Sequence, residues 1–389
     1  MIRSPAGFDG GDRIKRYLDY YQPSYGVTML SSSRFSPLSL FANGAQGAWY
    51  DPSDLTTLYQ DAAGTTPVTA VDQSVGLALD KSQGLVLGPE VLVNGDFNTD
   101  TVWSKGIGWT ISGGQALYNG FATNLTQTSV VEDGKSYRVT VDVASISGPF
   151  TVRAGAGGFS ATTSFSLSAG IVTATVLSDG PNITIRSDGG TTIAINSISV
   201  KELSGNHARQ GTSNARPIFK ATSRVDFDGS DDKWTTVSSG GGTTGFLFVS
   251  GVNIDATGAT YTLWSDTGTN TGYRVRINSS NQLELSAGNG SAYTTVATTE
   301  TLSAGTSYVV AAWQDGTNLN VRLNSNGALA SQAFATATAG TAGFTVGMDN
   351  GAVSSQLNGK LYNIIYVKNF SGSAADVNNT INYVSGTTA

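Results

Sequence analysis

In the segment YRVTVDVAS, Tyr137, Val139, Val141 and Val143 alternate with polar residues. A period of two sends successive side chains to opposite faces of a strand, so one face is buried and the other wet. The texture returns in NITIRS and TTIAINSISVKEL, which flank Asp188-Gly189-Gly190, a turn sequence that tolerates positive φ, and a hairpin is expected there. With 48 glycines and only 13% charged residues, the composition suits short strands joined by many turns. The glutamates are Glu90, Glu132, Glu202, Glu284 and Glu300. Long surface helices are not expected from so few.

At ~100 to 200 residues per domain, a chain of 389 residues suggests two or three domains. It contains no cysteine, so disulfides and thiolate metal sites are excluded and packing and ladders alone hold it together. A net charge of −6, with Lys and Arg spread singly, gives no electrostatic footprint for nucleic acid. No stretch approaches the ~20 apolar residues of a membrane helix, and an apolar signal region is missing from the N-terminus. Synthesis in a cytoplasm is expected, with the N-x-S/T triplets at Asn124, Asn182, Asn289 and Asn378 free of glycan.

In GDRIKRYLDYYQP, Ile14, Tyr17, Leu18 and Tyr21 fall at helical spacing between Asp12 as N-cap and Pro23 as stop. Residues 1 to 46 therefore read as an arm with a short helix, ordered against a partner or its own domains, or as a frayed terminus. From residue 49, WYDPSDLTTLYQD offers Asp51 as N-cap and Pro52 at the first helical position, which predicts a helix of about two turns. The following AAGTTPVTAVDQSVGLALDKS reads as edge strand. At the C-terminus, Ser373 and Asp376 can cap a helix whose buried stripe is Val377, Ile381 and Val384.

Residues 90 to 203 resemble carbohydrate-binding jelly rolls of the galactose-binding type. The resemblance rests on Asn94-Gly95-Asp96-Phe97-Asn98, on the turn from Gly108 to Gly114, and on the closing strand from Ile198 to Leu203. From Val225 to Asp232, VDFDGSDD resembles the opening of laminin-G or concanavalin A-like sandwiches, as do the later WQDGTNLNVRLNSNG and FTVGMDNGAVSSQLNGKLYNIIYVKNF. In phage-borne versions of that lectin-like domain, a W-x-D-x-S-x-L lead-in runs on to D-K-S-G-N-x-H-A and A-R-P. Here Asp80-Lys81-Ser82 is reached early, yet GNHAR begins only at Gly205.

The halves of one motif thus flank a second module. The expected architecture is all-β, two β-sandwiches plus the arm. The arm is 1–46; 47–88 with 204–389 form a discontinuous concanavalin-like jelly roll, and 89–203 an inserted carbohydrate-binding-module-like jelly roll. An insert whose first and last strands are neighbours is tolerated, since strands lie ~4.8 Å apart and closure entropy grows slowly with length. Tandem domains are the alternative.

Catalytic chemistry is not evident. His207 is the only histidine and is read as a surface or turn residue. No strand carries the pair of carboxylates, ~5 to 9 Å apart, that glycoside hydrolysis needs. For a cation, Asp226, Asp228, Asp231 and Asp232 are the first candidates, with Asn94 and Asp96 as a second turn where related jelly rolls hold structural calcium. Strand alternation and ordinary Asp-Gly turn chemistry are the competing reading.

For sugar, flat aromatic faces are wanted. Trp103, in the polar stretch TDTVWSKG, is the first choice, followed by Tyr118 and Phe121; Trp109, Trp264 and Trp313 read as core. The resemblance implies a structural protein of a tailed-bacteriophage virion, a tail fibre, appendage or capsid-attached fibre assembled in the host cytoplasm. Ile14, Tyr17, Leu18 and Tyr21 would anchor it to other virion proteins, and it would attach non-catalytically to host-surface glycans. A homo-oligomer is expected, a trimer being the commonest fibre arrangement, with no nucleic acid, no membrane insertion and no required cofactor; a structural Ca2+ is the one ion considered. The alternatives are architectural bracing without sugar, and a bacterial glycan-binding or glycan-degrading protein.

Overall fold

A computed structural model describes residues 35–120, 123–189, 191–340, 343–349 and 355–388. The anchoring candidates Ile14, Tyr17, Leu18 and Tyr21, and the sugar candidate Phe121, lie outside the described residues. Among those described, the fold is all-β, with four sheets, short 3-10 turns and one C-terminal α-helix. No described helix is long and apolar enough to cross a membrane.

Two of the sheets face one another across the largest core. The eight-stranded sheet runs Ile218–Lys220, Arg224–Asp228, Asn358–Lys368, Phe246–Ile254, Ser307–Gln314, Asn318–Leu323 and Ala330–Ala333, with Gly47–Tyr50 also paired to Asn358–Lys368. The nine-stranded sheet runs Leu58–Tyr59, Leu77–Ala78, Ala208–Arg209, Trp234–Ser239, Gly343–Val346, Tyr261–Ser265, Tyr273–Ile277, Leu283–Gly288 and Tyr293–Ala297. Phe227, Trp234, Phe246, Trp264, Tyr273 and Tyr366 fill the space between them.

Every residue of Phe246–Ile254 is buried, because this strand is covered on both faces. Its outer face lies under the helix Ala374–Thr388, where Val377, Ile381 and Val384 pack on Leu247, Val249, Ala311 and Ile365. The helix opens with reciprocal caps: Asp376 N donates to Ser373 Oγ at 3.3 Å and Ser373 N to Asp376 Oδ2 at 2.7 Å. Phe41, from the 3-10 segment Pro37–Gly44, joins the same cluster. The arm's last residues are thus seated on the sandwich.

The other two sheets come wholly from residues 87 to 203. The six-stranded sheet runs Gly170–Leu177, Ser136–Ser147, Thr192–Leu203, Gln115–Asn119 and Trp109–Ser112, with Leu87–Glu90 paired to Thr192–Leu203. The five-stranded sheet runs Ser164–Ser166, Phe150–Ala154, Ile183–Ser187, Asn124–Gln127 and Ser104–Lys105. Tyr137, Val139, Val141 and Val143 point into their shared core, with Phe150, Val152, Ile183 and Ile185 opposite. The first and last strands are neighbours, with Glu90 opposite Lys201 and Leu87 opposite Leu203.

Two local expectations are corrected. Asp188-Gly189 does not close a hairpin: Ile183–Ser187 belongs to the five-stranded sheet and Thr192–Leu203 to the six-stranded one, so the turn carries the chain across the core. Both strands alternate, and each satisfies its apolar face from the opposite side. After Asp51 there is only one 3-10 turn, Leu55–Thr57, because the next residues pair as Leu58–Tyr59 with Leu77–Ala78.

Candidate functional site

The two halves of the split motif meet in one hydrogen-bonded knot. Asp80 is fully buried; its Oδ1 accepts from Trp49 N and Ser82 N, both at 2.8 Å. Oδ2 accepts from Ser82 Oγ at 2.8 Å and from Asn206 N at 2.7 Å. Burial pushes its carboxyl above the usual range against these four donors. Asp80 N in turn donates to His207 Nδ1 at 2.9 Å, which leaves Nε2 as the donor to Leu203 O at 3.0 Å.

His207 is therefore not a surface residue. It is 5% exposed, and burial together with the charges of Arg209 and Arg138 lowers its pKa to about 3. Lys81 bonds Asp51 and Asp54 at 2.9 Å each and lies over the Trp49 ring. The histidine and the acidic lead-in tie residues 49–54 and 80–82 to 203–207.

Of the cation candidates, Asp228, Asp231 and Asp232 come together, with carboxylate oxygens within 4.8 Å of one another. Asp232 is 4% exposed; burial and its acidic neighbours push its carboxyl up to about 7, so a proton or a cation is favoured there. Hard oxygen donors of this kind suit Ca2+. Asp226 does not join them, since Lys360 holds it at 3.5 Å. The Asn94 and Asp96 turn uses its own polar groups. Asn94 Nδ2 donates to Thr99 O at 2.6 Å, its Oδ1 accepts from Thr99 N at 3.2 Å, and Asp96 accepts from Asn98.

The aromatic candidates are corrected too. Trp103 is 6% exposed, its Nε1 donates to Asn94 O at 3.0 Å, and its ring packs 5.5 Å from Phe97. Tyr118 is wedged between Trp109 and Phe150 at centroid distances of 5.0 and 5.4 Å. Neither presents a free face to a ligand. Trp109, Trp264 and Trp313 are core residues, as expected.

What the sequence reading missed is a polar face. Across the five-stranded sheet, Ser166, Thr151, Arg186 and Asn124 stand in one register row, and Ser164, Arg153, Thr184, Thr126 and Ser104 in the next. Directly opposed residues share a face, so these nine positions carry only hydroxyl, amide and guanidinium groups. Behind them, Phe165, Val152, Ile185 and Leu125 fill the core. Phe159 lies over the arginines, with the Arg186 guanidinium 3.5 Å and that of Arg153 5.5 Å from its ring centroid.

Both arginines are neutralised in place, Arg153 by Asp179 and Arg186 by Asp188. Arg153 and Thr184 are buried on this face, and the other seven positions offer directed donors and acceptors with little net charge. In sequence its only trace is the T-x-R alternation in FTVRA and ITIRS.

A scan against protein-family models finds no match, and a search of curated proteins finds none. Some solved structures are partly similar. A heptameric SAP-like pentraxin from Limulus polyphemus aligns over 37% of this chain and 74% of its own, at 12% identity and a TM-score of 0.30. The receptor-binding domain of botulinum neurotoxin mosaic serotype C/D aligns over 41% of this chain and 42% of its own, at 13% identity and a TM-score of 0.32. Domains LG4-5 of the mouse laminin alpha1 chain align over 64% of this chain and 86% of theirs, at 10% identity and a TM-score of 0.27. Each is a partial likeness of fold alone.

Proposed function

We propose that this chain is a non-catalytic glycan-binding protein, a structural component of a tailed-bacteriophage virion that attaches to host-surface saccharides. The observation that carries the sugar reading is the polar face, with seven of its nine positions reached by solvent and Phe159 across it. Hydroxyl-rich ligands need directed hydrogen bonds at regular spacing, and strands ~4.8 Å apart supply them in rows. Weak single sites would gain avidity in a multimeric fibre.

The virion assignment rests on the phage-type lead-in, whose two halves meet at Asp80, Asn206 and His207. In this reading, residues 89–203 are a module inserted into the sandwich of 47–88 and 204–389, which the pairing of Leu77–Ala78 with Ala208–Arg209 supports. The arm anchors the particle end, and calcium on Asp228, Asp231 and Asp232 is structural. A non-catalytic role is supported by the employment of the glutamates. Glu202 pairs with Lys135, Glu284 with Arg276, and Glu90 accepts from Val200 N.

A purely architectural role is the second reading, favoured by the burial of Trp103 and Tyr118. A glycan array separates the two. Glycan retention by the full chain that is lost in Arg186→Ala and Phe159→Ala supports attachment through the polar face. If the wild type retains no glycan, the architectural role stands.

A further inference from the structure

We propose that the seam between the two sandwiches binds a small oxyanion on Arg209, with Arg138 on the same strand face as the cavity's Ser136. A cavity of about 180 Å3 opens at this seam, lined from one side by Ser136 and Thr162 and from the other by His207, Arg209 and Thr235. Arg209 is 4% exposed. Its Nη1 donates to Ala62 O and Thr175 O and its Nη2 to Ser136 Oγ, while the buried Nε has no partner. None of these acceptors carries a charge.

Among the described residues, neither Arg209 nor Arg138 nor Lys201 forms an ion pair. The carboxylate of Asp61, whose field reaches Arg209, is occupied by the amides of Ala63, Thr65 and Thr66. Arg138 and Lys201 stand directly opposite one another in the six-stranded sheet, and Glu90 opposes Lys201 from the other side. They point away from its core, since their neighbours Val139 and Val200 point in.

A buried cation without a paired counter-ion is costly. An oxyanion relieves that cost through charge-assisted hydrogen bonds from guanidinium. The cavity is smaller than the ~300 to 1,000 Å3 of ordinary small-molecule sites, so one sulfate, phosphate or carboxylate group matches it, not a saccharide chain. The site is independent of the polar sheet face.

Isothermal titration of the full chain with sulfate, phosphate, acetate and glucuronate, at constant ionic strength, tests this. Saturable binding at one site per chain is expected, weakened about tenfold or more by Arg209→Lys and by Arg138→Met. Arg138→Met retains Arg209 and its contacts across the seam, so loss of binding there is not loss of fold. Binding of sulfate or phosphate identifies a free inorganic ion; binding of acetate and glucuronate alone identifies a ligand's carboxylate. No saturable binding to the wild type, or equal affinity in variants that melt like it, overturns the proposal.

Discussion

At the scale of single residues, two buried groups pull the pH dependence of stability in opposite directions. His207 has a folded pKa of about 3 against an ordinary 6.5, so below pH 6.5 the unfolded chain binds the extra proton and stability falls with acid. Asp232 has a folded value of about 7 against 3.8, so the folded chain keeps the extra proton and stability falls as pH rises from about 4 to 7. Each contributes a slope of up to ~1.4 kcal/mol per pH unit, and between pH 4 and 6.5 the slopes oppose. His207→Gln, which keeps a donor and an acceptor, is expected to leave a fold that weakens steadily with rising pH. Asp232→Asn is expected to leave one that weakens with acid, and thermal melts across this range read both. Calcium should raise the wild-type melting temperature at pH 7.5 and leave Asp232→Asn unmoved; an equal response in both would remove the cation from that turn.

At the scale of elements, the C-terminal helix was legible because its cap and its stripe lie within one short window. Ser373→Ala should cost ~1 kcal/mol through the lost cap. Ile381→Ala, at a fully buried position over the eight-stranded sheet, should cost ~2 to 5 kcal/mol, measured by urea denaturation. The alternation of Tyr137 to Val143 and of the strands around Asp188 was legible as well, but not which sheet each strand joins. That depends on partners tens of residues away. Trp103 was misread for a related reason: its sequence neighbours are polar, yet the Asn94 turn folds around its ring and takes its indole N–H. The polar face left almost no trace, since its rows draw on five strands that no sequence window contains together.

At the scale of the whole molecule, the split motif carried the most information, because Asp80, Gly205 and His207 have a joint geometry no local segment can satisfy. Gly205 has a φ of +136, and a Cβ there would stand 3.1 Å from Asp80 Oδ2. Replacing residues 89–203 with a short Gly-Ser linker is expected to leave a β-rich chain that still melts cooperatively, checked by circular dichroism and calorimetry. Its melting temperature should drop, because Leu203 leaves its place against Leu77 and Leu79, and Arg209 loses Ser136 and Thr175. Absence of a cooperative transition would show that the two sandwiches fold only as a unit.

The knot at Asp80 also decides how the molecule answers a pull. Tension applied to its two ends would first part Gly47–Tyr50 from Asn358–Lys368 and then pass from Ser82 to Asn206 through the Asp80 hydrogen bonds that bridge the base of the 89–203 excursion, so that segment hangs beside the line of force. It would stay slack and folded until the bridge parts, and only then would its length be released, as a single late extension.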